Sequence, residues 1–518
     1  MHYGNLRVTL EGLRIVGMEG TNRDSSYGIH AIGSNFLTIN RCEIYNFERG
    51  VSLYDSDSIW IERSLIARNG QGVNLRGKKE LRLSQNRVWS NSNASYAGVV
   101  GAGVVVDGFN HLDIVDNDIF NNHASGTYDR LGYALGTGAG GGLLLESEGK
   151  VNIAYNRVMS NTGREGAGIY VAASSVTVRH NRITGNTNGF GEGGTDPLLF
   201  GNGLYVRGGA VIFDNEISDN TQGIYLFGGA VVSNTIRGNV SGGVAAFGHL
   251  NIVNNHFYTN TNQFSGGAII GADGVSLTVR GNHFEANYAL GHGGAIYIQS
   301  GQAIFSNNTF INNTAAKPGG AVMVYTEPEK FATNKSNVQF INNIIAENRV
   351  ISNTANTPLP EDGFGSGVAI WRSDATFVHN TIANHREGFG QAIYATRDAK
   401  LWLTNTILLS NTVGIQADNN TTVQADATLW GNTANTVGGG IAIGTRNYTG
   451  DPAFVAPTQH NYHLLPGSAA SKKGTATSTR FDIDGDRRFN LSAPDLGADE
   501  ICTVCLRTYL PILSQGPR

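Results

Sequence analysis

Three cysteines in 518 residues are too few for a disulfide framework. Cys502 and Cys505 form CTVC near the end, which offers a local disulfide or an attachment point, but no second ligand pair with the spacing of a zinc site accompanies them. Charged residues make up 15%, against a usual quarter, and the net charge is −4. No basic face therefore argues for nucleic acid. No run of 18 apolar residues occurs, which excludes a membrane-spanning helix. No segment sustains helical periodicity over three turns, so helices are not expected at all. Ser-His-Asp arrangements, phosphate loops and H-E-x-x-H are all absent. The N-terminus shows no charged leader, apolar stretch or cleavage site. Instead MHYGNLRVTLEGLRIVG already reads as a repeat unit, with no helix to cover the open end that solenoids normally cap. The chain is thus expected to have lost an N-terminal region, and the missing leader is poor evidence for a cytoplasmic protein.

What the chain has in quantity is glycine, 69 residues against 11 prolines, and asparagine at regular intervals. A motif returns every 19 to 30 residues: G-apolar-x-apolar, a short gap, then apolar-x-apolar-x-x-N-x-apolar-x-x-N. Clear copies are GIYVAASSVTVRHNRITGN (168–186), GLYVRGGAVIFDNEISDN (203–220) and AIYIQSGQAIFSNNTFINN (295–313). Alternation by two means strand, and the Gly, Asn and Ser between the strands mean turns. A period of this size built from strands alone marks a solenoid, in which each coil buries its inner face against the next. About 16 coils fit between Leu6 and Asn432, a rod of roughly 75 Å at one strand spacing per coil. The first Asn of the motif runs from Asn86 to Asn405 and the second from Asn69 to Asn348. Asn tolerates left-handed backbone at a bend, and stacked in register its amide bonds the same residue one coil away. Cys42 takes the first Asn position in RCEIYN and is expected as a buried corner residue.

These features resemble the right-handed parallel β-helix repeat family, which includes pectate lyases, polygalacturonases, alginate lyases and many surface proteins. The resemblance covers about residues 6–432. It implies the fold, an all-β, right-handed, single-stranded parallel β-helix, and leaves the chemistry open, because the fold carries several activities and also none. The family's polygalacturonase signatures are not here. G-H-G occurs once, as Gly291-His292-Gly293, at the repeat's own glycine turn and without its carboxylates.

From about Gly440 the composition changes. YHLLPGSAA, DIDGDRR and DLGADE resemble a terminal module of secreted bacterial β-helix proteins, the choice-of-anchor Q domain, and TYLPIL (508–513) resembles a tail of secreted proteins of filamentous green bacteria. Export and envelope association through this module are what those resemblances imply. Three parts are expected: a β-helix over 1–439, an anchor-like module over 440–501 and a tail over 502–518. In DIDGDRR, Asp482, Asp484 and Asp486 alternate as oxygen ligands do at the start of a calcium loop. The Glu that closes such a loop is missing, with Ala493 in its place, and a polar turn pairing Asp with Arg487 and Arg488 is the other reading. No cofactor is required; calcium is the one the sequence suggests.

Residues between the inward apolar pairs should point out of the first strand of each coil. One outward row holds Tyr170, Tyr205, Tyr225, Tyr297, Met323 and Tyr394; the next holds Tyr54, Phe227, Phe247, Tyr325 and Trp371. Aromatic rings at regular spacing on a solvent-facing sheet suit stacking on sugars, while strand propensity and coil-to-coil stacking account for the same rows without a ligand. In the second row Arg76, Asp107 and Glu146 take equivalent places in three successive coils. Carboxylates one coil apart, about 5 Å, suit a retaining glycosidase pair or a calcium site. An ordinary exposed row with Arg76 balancing Asp107 suits them equally. Breaks at 123–140, 187–200, 325–337 and 349–364 carry Asp129, Glu192, Asp196, Glu327, Glu329, Glu361 and Asp362, acidic loops that could flank a groove.

The leading reading is an extracellular or cell-surface, non-catalytic rod, adhesin-like, whose aromatic face binds a polysaccharide or surface glycan. The alternatives are a polysaccharide lyase or glycoside hydrolase using Asp107 and Glu146 with Arg76 neutralising a substrate carboxylate, and a purely structural spacer. Which glycan, and which oligomeric state, the sequence leaves open.

Overall fold

The computed structural model describes residues 7–18, 26–92, 102–124, 139–163, 165–188, 203–330, 335–351, 364–385, 390–488 and 493–501. Among the described residues forty-six strands join in one hydrogen-bonded array, and every pairing within it is parallel. Each coil contributes three short strands, so the coils stack as three sheets around a common interior. In the coil after Gly203 these are Leu204–Arg207, Ala210–Phe213 and Glu216–Ser218. Sixteen such strands line up in the first sheet, from Tyr27–Ile32 to Ala434–Gly438, which matches the expected coil number. The parallel ladder continues through Asn447–Thr449, beyond residue 439. No helix among the described residues is long and apolar enough to cross a membrane; the only helices are two single 3-10 turns, Pro328–Lys330 and Pro457–Gln459.

The interior is one continuous core built mainly of Val, Ile, Leu and Phe, two residues from most strands of the first and second sheets and one from each short strand of the third, alternating with outward neighbours. Phenylalanines stack along it, Phe257–Phe284–Phe310 under the third sheet and Phe305–Phe340–Phe377 under the second, with centroids 4.6–4.9 Å apart. That spacing is the coil repeat itself, so a ring gains a parallel neighbour simply by being conserved in register from coil to coil.

The asparagines form two unbroken ladders at the corners. Asn86, Asn117, Asn156 and so on to Asn380 pass each Nδ2 hydrogen to the Oδ1 of the next coil at 2.9–3.1 Å. The second ladder runs from Asn69 through Asn91 and Asn122 to Asn348 over the same distances. The backbone N–H of each ladder residue bonds the same oxygen, as Asn255 does to Asn282 at 2.8 Å, and its other amide hydrogen reaches a carbonyl of the preceding coil. These buried amides are thus paired on all sides, as their burial requires. Cys42 is buried at the head of the first ladder, its N–H on Ser64 Oγ at 3.1 Å.

Two expectations about the corners change. The left-handed residue is the one before the ladder Asn: Asp116, Tyr155, His180, Asp214 and Asn254 all have φ between 52° and 59°. The ladder residue itself is chosen for its amide. Asn405 accordingly leaves the ladder. Thr381 pairs with Ile407, which puts Thr406 opposite Asn380, and Asn405 is the left-handed residue, φ 52°, bonded to His379 and Thr475. The motif's leading glycine also has a steric cause. A Cβ on Gly203 would sit 2.7 Å from Gly223 O and 2.9 Å from Asn220 Nδ2.

The C-terminal segment folds back along the outside of the third sheet. Toward the N-terminal coils the outward row of that sheet is charged, with Arg87, Asp118, Arg157, Arg182 and Glu216 in register. Farther on Ile344 continues this row and Ile311, Ala346 and Ala383 form the row beside it, and all four pack against Tyr462 and Ala498. Arg488, fully buried, bolts the segment down. Its guanidinium reaches Glu500 at 2.9 Å, Asn342 Oδ1 at 3.0 Å, and the carbonyls of Gly497 and Ala498.

Candidate functional site

The first sheet's outward rows are where sequence placed them. Tyr170, Tyr205 and Tyr225 occupy one register position, followed by Ala245, Ile270, Tyr297, Met323, Ala369 and Tyr394. None of these side chains enters the interior core. Their expected solvent exposure, however, is not what the structure has. Tyr170, Tyr205 and Tyr225 stack face to face at 5.0 and 4.9 Å, and only 6–8% of their surface stays open. Each ring covers the next, and Leu144, Ala139 and Ala245 close the ends of the stack. Burial pushes the Tyr205 phenol up to about 12 and raises Tyr170 as well, where Arg207 opposes it.

A second cluster gathers Tyr297, Met323, Tyr325, Phe364, Ala369, Trp371 and Tyr394. Met323, Trp371 and Tyr394 are buried there too. Arg397 lies over the Trp371 ring at 4.5 Å, a cation–π contact that occupies one ring face. Burial raises the Tyr297 hydroxyl strongly. His292 sits in the glycine turn as expected, its N–H on Ser265 Oγ and its ring edge-on to Trp371 at 5.6 Å.

In the outward row beside the first cluster the face opens. Phe227 is 42% exposed. Its ring lies 5.1 Å from Phe247, inclined 25°, and both rest on Tyr225. Tyr54, farther toward the N-terminal coils, stands apart and accepts from Arg49 at 3.1 Å.

Arg76, Asp107 and Glu146 are brought together in register, one per coil. Arg76 pairs with Asp107 at 3.3 Å, and both side chains are more than half exposed, a geometry worth at most about 1 kcal/mol in water. Asp107, Glu146 and Glu148 border a shallow depression of about 590 Å³ with Lys78 and Phe109. Of the acidic loops, Asp129, Glu192, Asp196, Glu361 and Asp362 lie outside the described residues. Glu327 is taken up by Lys330 at 2.9 Å, which holds its carboxyl below the usual range.

In DIDGDRR the structure assigns different partners from the Asp–Arg turn expected. Asp482 is buried and brackets the turn, Oδ1 accepting from the N–H of Asp484 and Asp486 at 3.0 and 2.8 Å, Oδ2 from Glu500 N–H at 3.0 Å. Burial raises its carboxyl. Arg488 turns away to Glu500. Asp482, Asp484 and Asp486 still offer oxygens within 4.8 Å of one another. Cys502 and Cys505 lie outside the described residues.

Sequence reading missed two histidines. His385 takes an Asn place in the second ladder between Asn348 and Asn411, and His379 is buried beside the C-terminal segment, where Thr477 contacts it at 3.2 Å. It missed the docking strip too, although INNIIAEN (341–348) shows it: Ile344 and Ala346 flank Ile345 where other coils put polar residues.

No curated protein matches this chain. A model described as periplasmic copper-binding protein (NosD) matches residues 96–268. A model described as right handed beta helix region matches residues 2–130 and 199–345, more than half of the sequence. Together with the three stacked parallel sheets and their paired ladders, that match places the chain in the right-handed β-helix family.

Proposed function

We propose that the protein is a non-catalytic rod of the cell exterior or envelope that binds an extended glycan across the open part of its first sheet. The observation that carries this reading is the exposed Phe227 beside Phe247, an aromatic step raised on a rigid tyrosine stack. A sugar ring needs a flat apolar platform that does not move, and the stack beneath supplies one. The buried tyrosines act as its support, and the binding surface is narrower than the full aromatic row. The match to a periplasmic family supports the location. The copper of that family's description is not assigned to this chain: residues 96–268 hold no cysteine, a single methionine, Met159, and five histidines, of which His256 alone joins a possible ligand cluster among the described residues, with His283 and Glu285 beyond the matched stretch. The Arg76–Asp107 pair supports binding over catalysis, because both of its side chains are more than half exposed to water.

The test is binding of the purified chain to polyuronates and neutral glycans, scored alongside formation of an unsaturated uronate product. Phe227→Ala should weaken binding about tenfold, a loss of about 1.4 kcal/mol, without lowering the melting temperature. Binding indifferent to Phe227 and Phe247 would remove the reading. Product formation abolished by Asp107→Asn would replace it with a lyase.

A further inference from the structure

The C-terminal segment holds a cluster that neither the repeat nor the glycan reading uses. His463, Asp484 and Asp499 each offer a ligand atom, and these atoms lie within 4.8 Å of one another. The three come from separate stretches, which only the fold brings together. His463 lies on the strand Asn461–Leu464, Asp484 in the turn that Asp482 brackets, and Asp499 in the DLGADE stretch.

His463 is held as a metal-ligating imidazole is held. Its Nδ1 lies 2.6 Å from Asn461 Oδ1, an oxygen that also receives the His463 backbone N–H at 3.1 Å. An oxygen accepting that N–H cannot be the amide nitrogen, so Nδ1 carries the proton. Any lone pair of the ring is then on Nε2, which faces Asp484 Oδ2 at 3.1 Å and Oδ1 at 3.2 Å. A lone pair facing a carboxylate needs a proton or a cation between them. A partner on Nδ1 that fixes ring and tautomer is the usual outer support of a metal-bound histidine.

Asp499 supplies the independent observation. The residue is 2% exposed. Its Oδ2 accepts from the Leu464 N–H at 2.6 Å, while Oδ1, also buried, has no hydrogen-bond partner among the described residues. Such an orphaned carboxylate oxygen is costly to bury. His463 and Asp484 remain partly open to water, which leaves an entry path.

We propose that His463, Asp484 and Asp499 bind a divalent transition-metal cation of the zinc class. One imidazole nitrogen with two carboxylates is a borderline donor set, suited to Zn²⁺ or Mn²⁺ and poor for Ca²⁺, which takes oxygens alone. The cation ties together three stretches of the segment that lies against the third sheet, so its role is to hold that segment closed. This site differs from the Asp482, Asp484, Asp486 trio, whose first member spends its oxygens on backbone N–H groups.

The full chain, stripped with a chelator, is titrated calorimetrically with Zn²⁺, Mn²⁺ and Ca²⁺ separately, and its melting is followed with each. One Zn²⁺ per chain with a raised melting temperature is expected, weakened at least tenfold in both His463→Gln and Asp499→Asn. Asp499→Asn keeps an oxygen for the Leu464 N–H, so it should fold. Anomalous scattering at the zinc edge from wild-type crystals provides a second readout that needs no variant. Ca²⁺ binding indifferent to His463→Gln overturns the proposal in favour of the aspartate trio. So does absence of metal binding with a protonated His463 seen by NMR, which would mean that a proton fills the gap.

Discussion

His385 shows how strictly the ladder judges a single residue. Its ring stands in for an asparagine amide, Nδ1 on Asn411 Oδ1 at 2.8 Å and Nε2 toward Asn348 Nδ2 at 3.5 Å, with the backbone N–H on Asn411 as in every other rung. A neutral imidazole has one donor and one acceptor, as the ladder demands; protonation would turn the acceptor into a donor facing an NH₂ group. Burial accordingly pushes its pKa down to about 4, with Asn411 and Glu347 opposing. The folded pKa lies below the unfolded one, near 6.5, so between these values the unfolded chain takes up a proton that the folded chain refuses. Stability is complete above about pH 6.5 and falls as the pH drops toward 4, by about 3 kcal/mol in all. Urea midpoints measured from pH 7 to 4 should fall more steeply for the native chain than for His385→Asn, and parallel curves would refute the assignment. The position was illegible because only asparagine was sought there. Asn405 failed for the opposite reason: left-handed backbone and ladder amide both favour asparagine, and only counting from Leu401 and Leu403 separates the two sites.

At the scale of elements, alternation along each strand predicted which side chains leave the core, and the first sheet obeys it. It could not predict what then covers them. Tyr205 and Phe227 both point outward, yet one is buried and the other open, because cover comes from adjacent coils and from segments distant in sequence. The same limit hid the docking of the C-terminal segment on Ile344 and Ala346. There Arg488 is decisive, since it is completely buried against Glu500. Removing one partner of a buried pair strands the other, at a cost of about 3–5 kcal/mol. Arg488→Met should therefore release the segment over 450–501 to limited proteolysis while the β-sheet circular dichroism of the coils persists. Equal protease resistance in the variant would show that the segment is held by its apolar contacts alone.

Across the whole molecule, the repeat made the architecture legible because each coil obeys the same local rules, whereas the sites depend on departures from them. Asn220 and Asn239 stand 19 residues apart at one ladder position in adjacent coils. Deleting 221–239 would set Asn220 against Asn260, Gly203 against Gly243 and Tyr205 against Ala245, each in an unchanged relation. The shortened chain should fold, with a rod shorter by about 4.8 Å in small-angle scattering; an aggregated or unfolded product would show that coils are not interchangeable. The ladder has no preferred length, since each amide needs only a like neighbour above and below. The distance between the two ends is then an integer number of steps, changed by gain or loss of a whole repeat and by nothing smaller. Such a molecule is a ruler, and what its open aromatic step can reach is set by how many coils precede it.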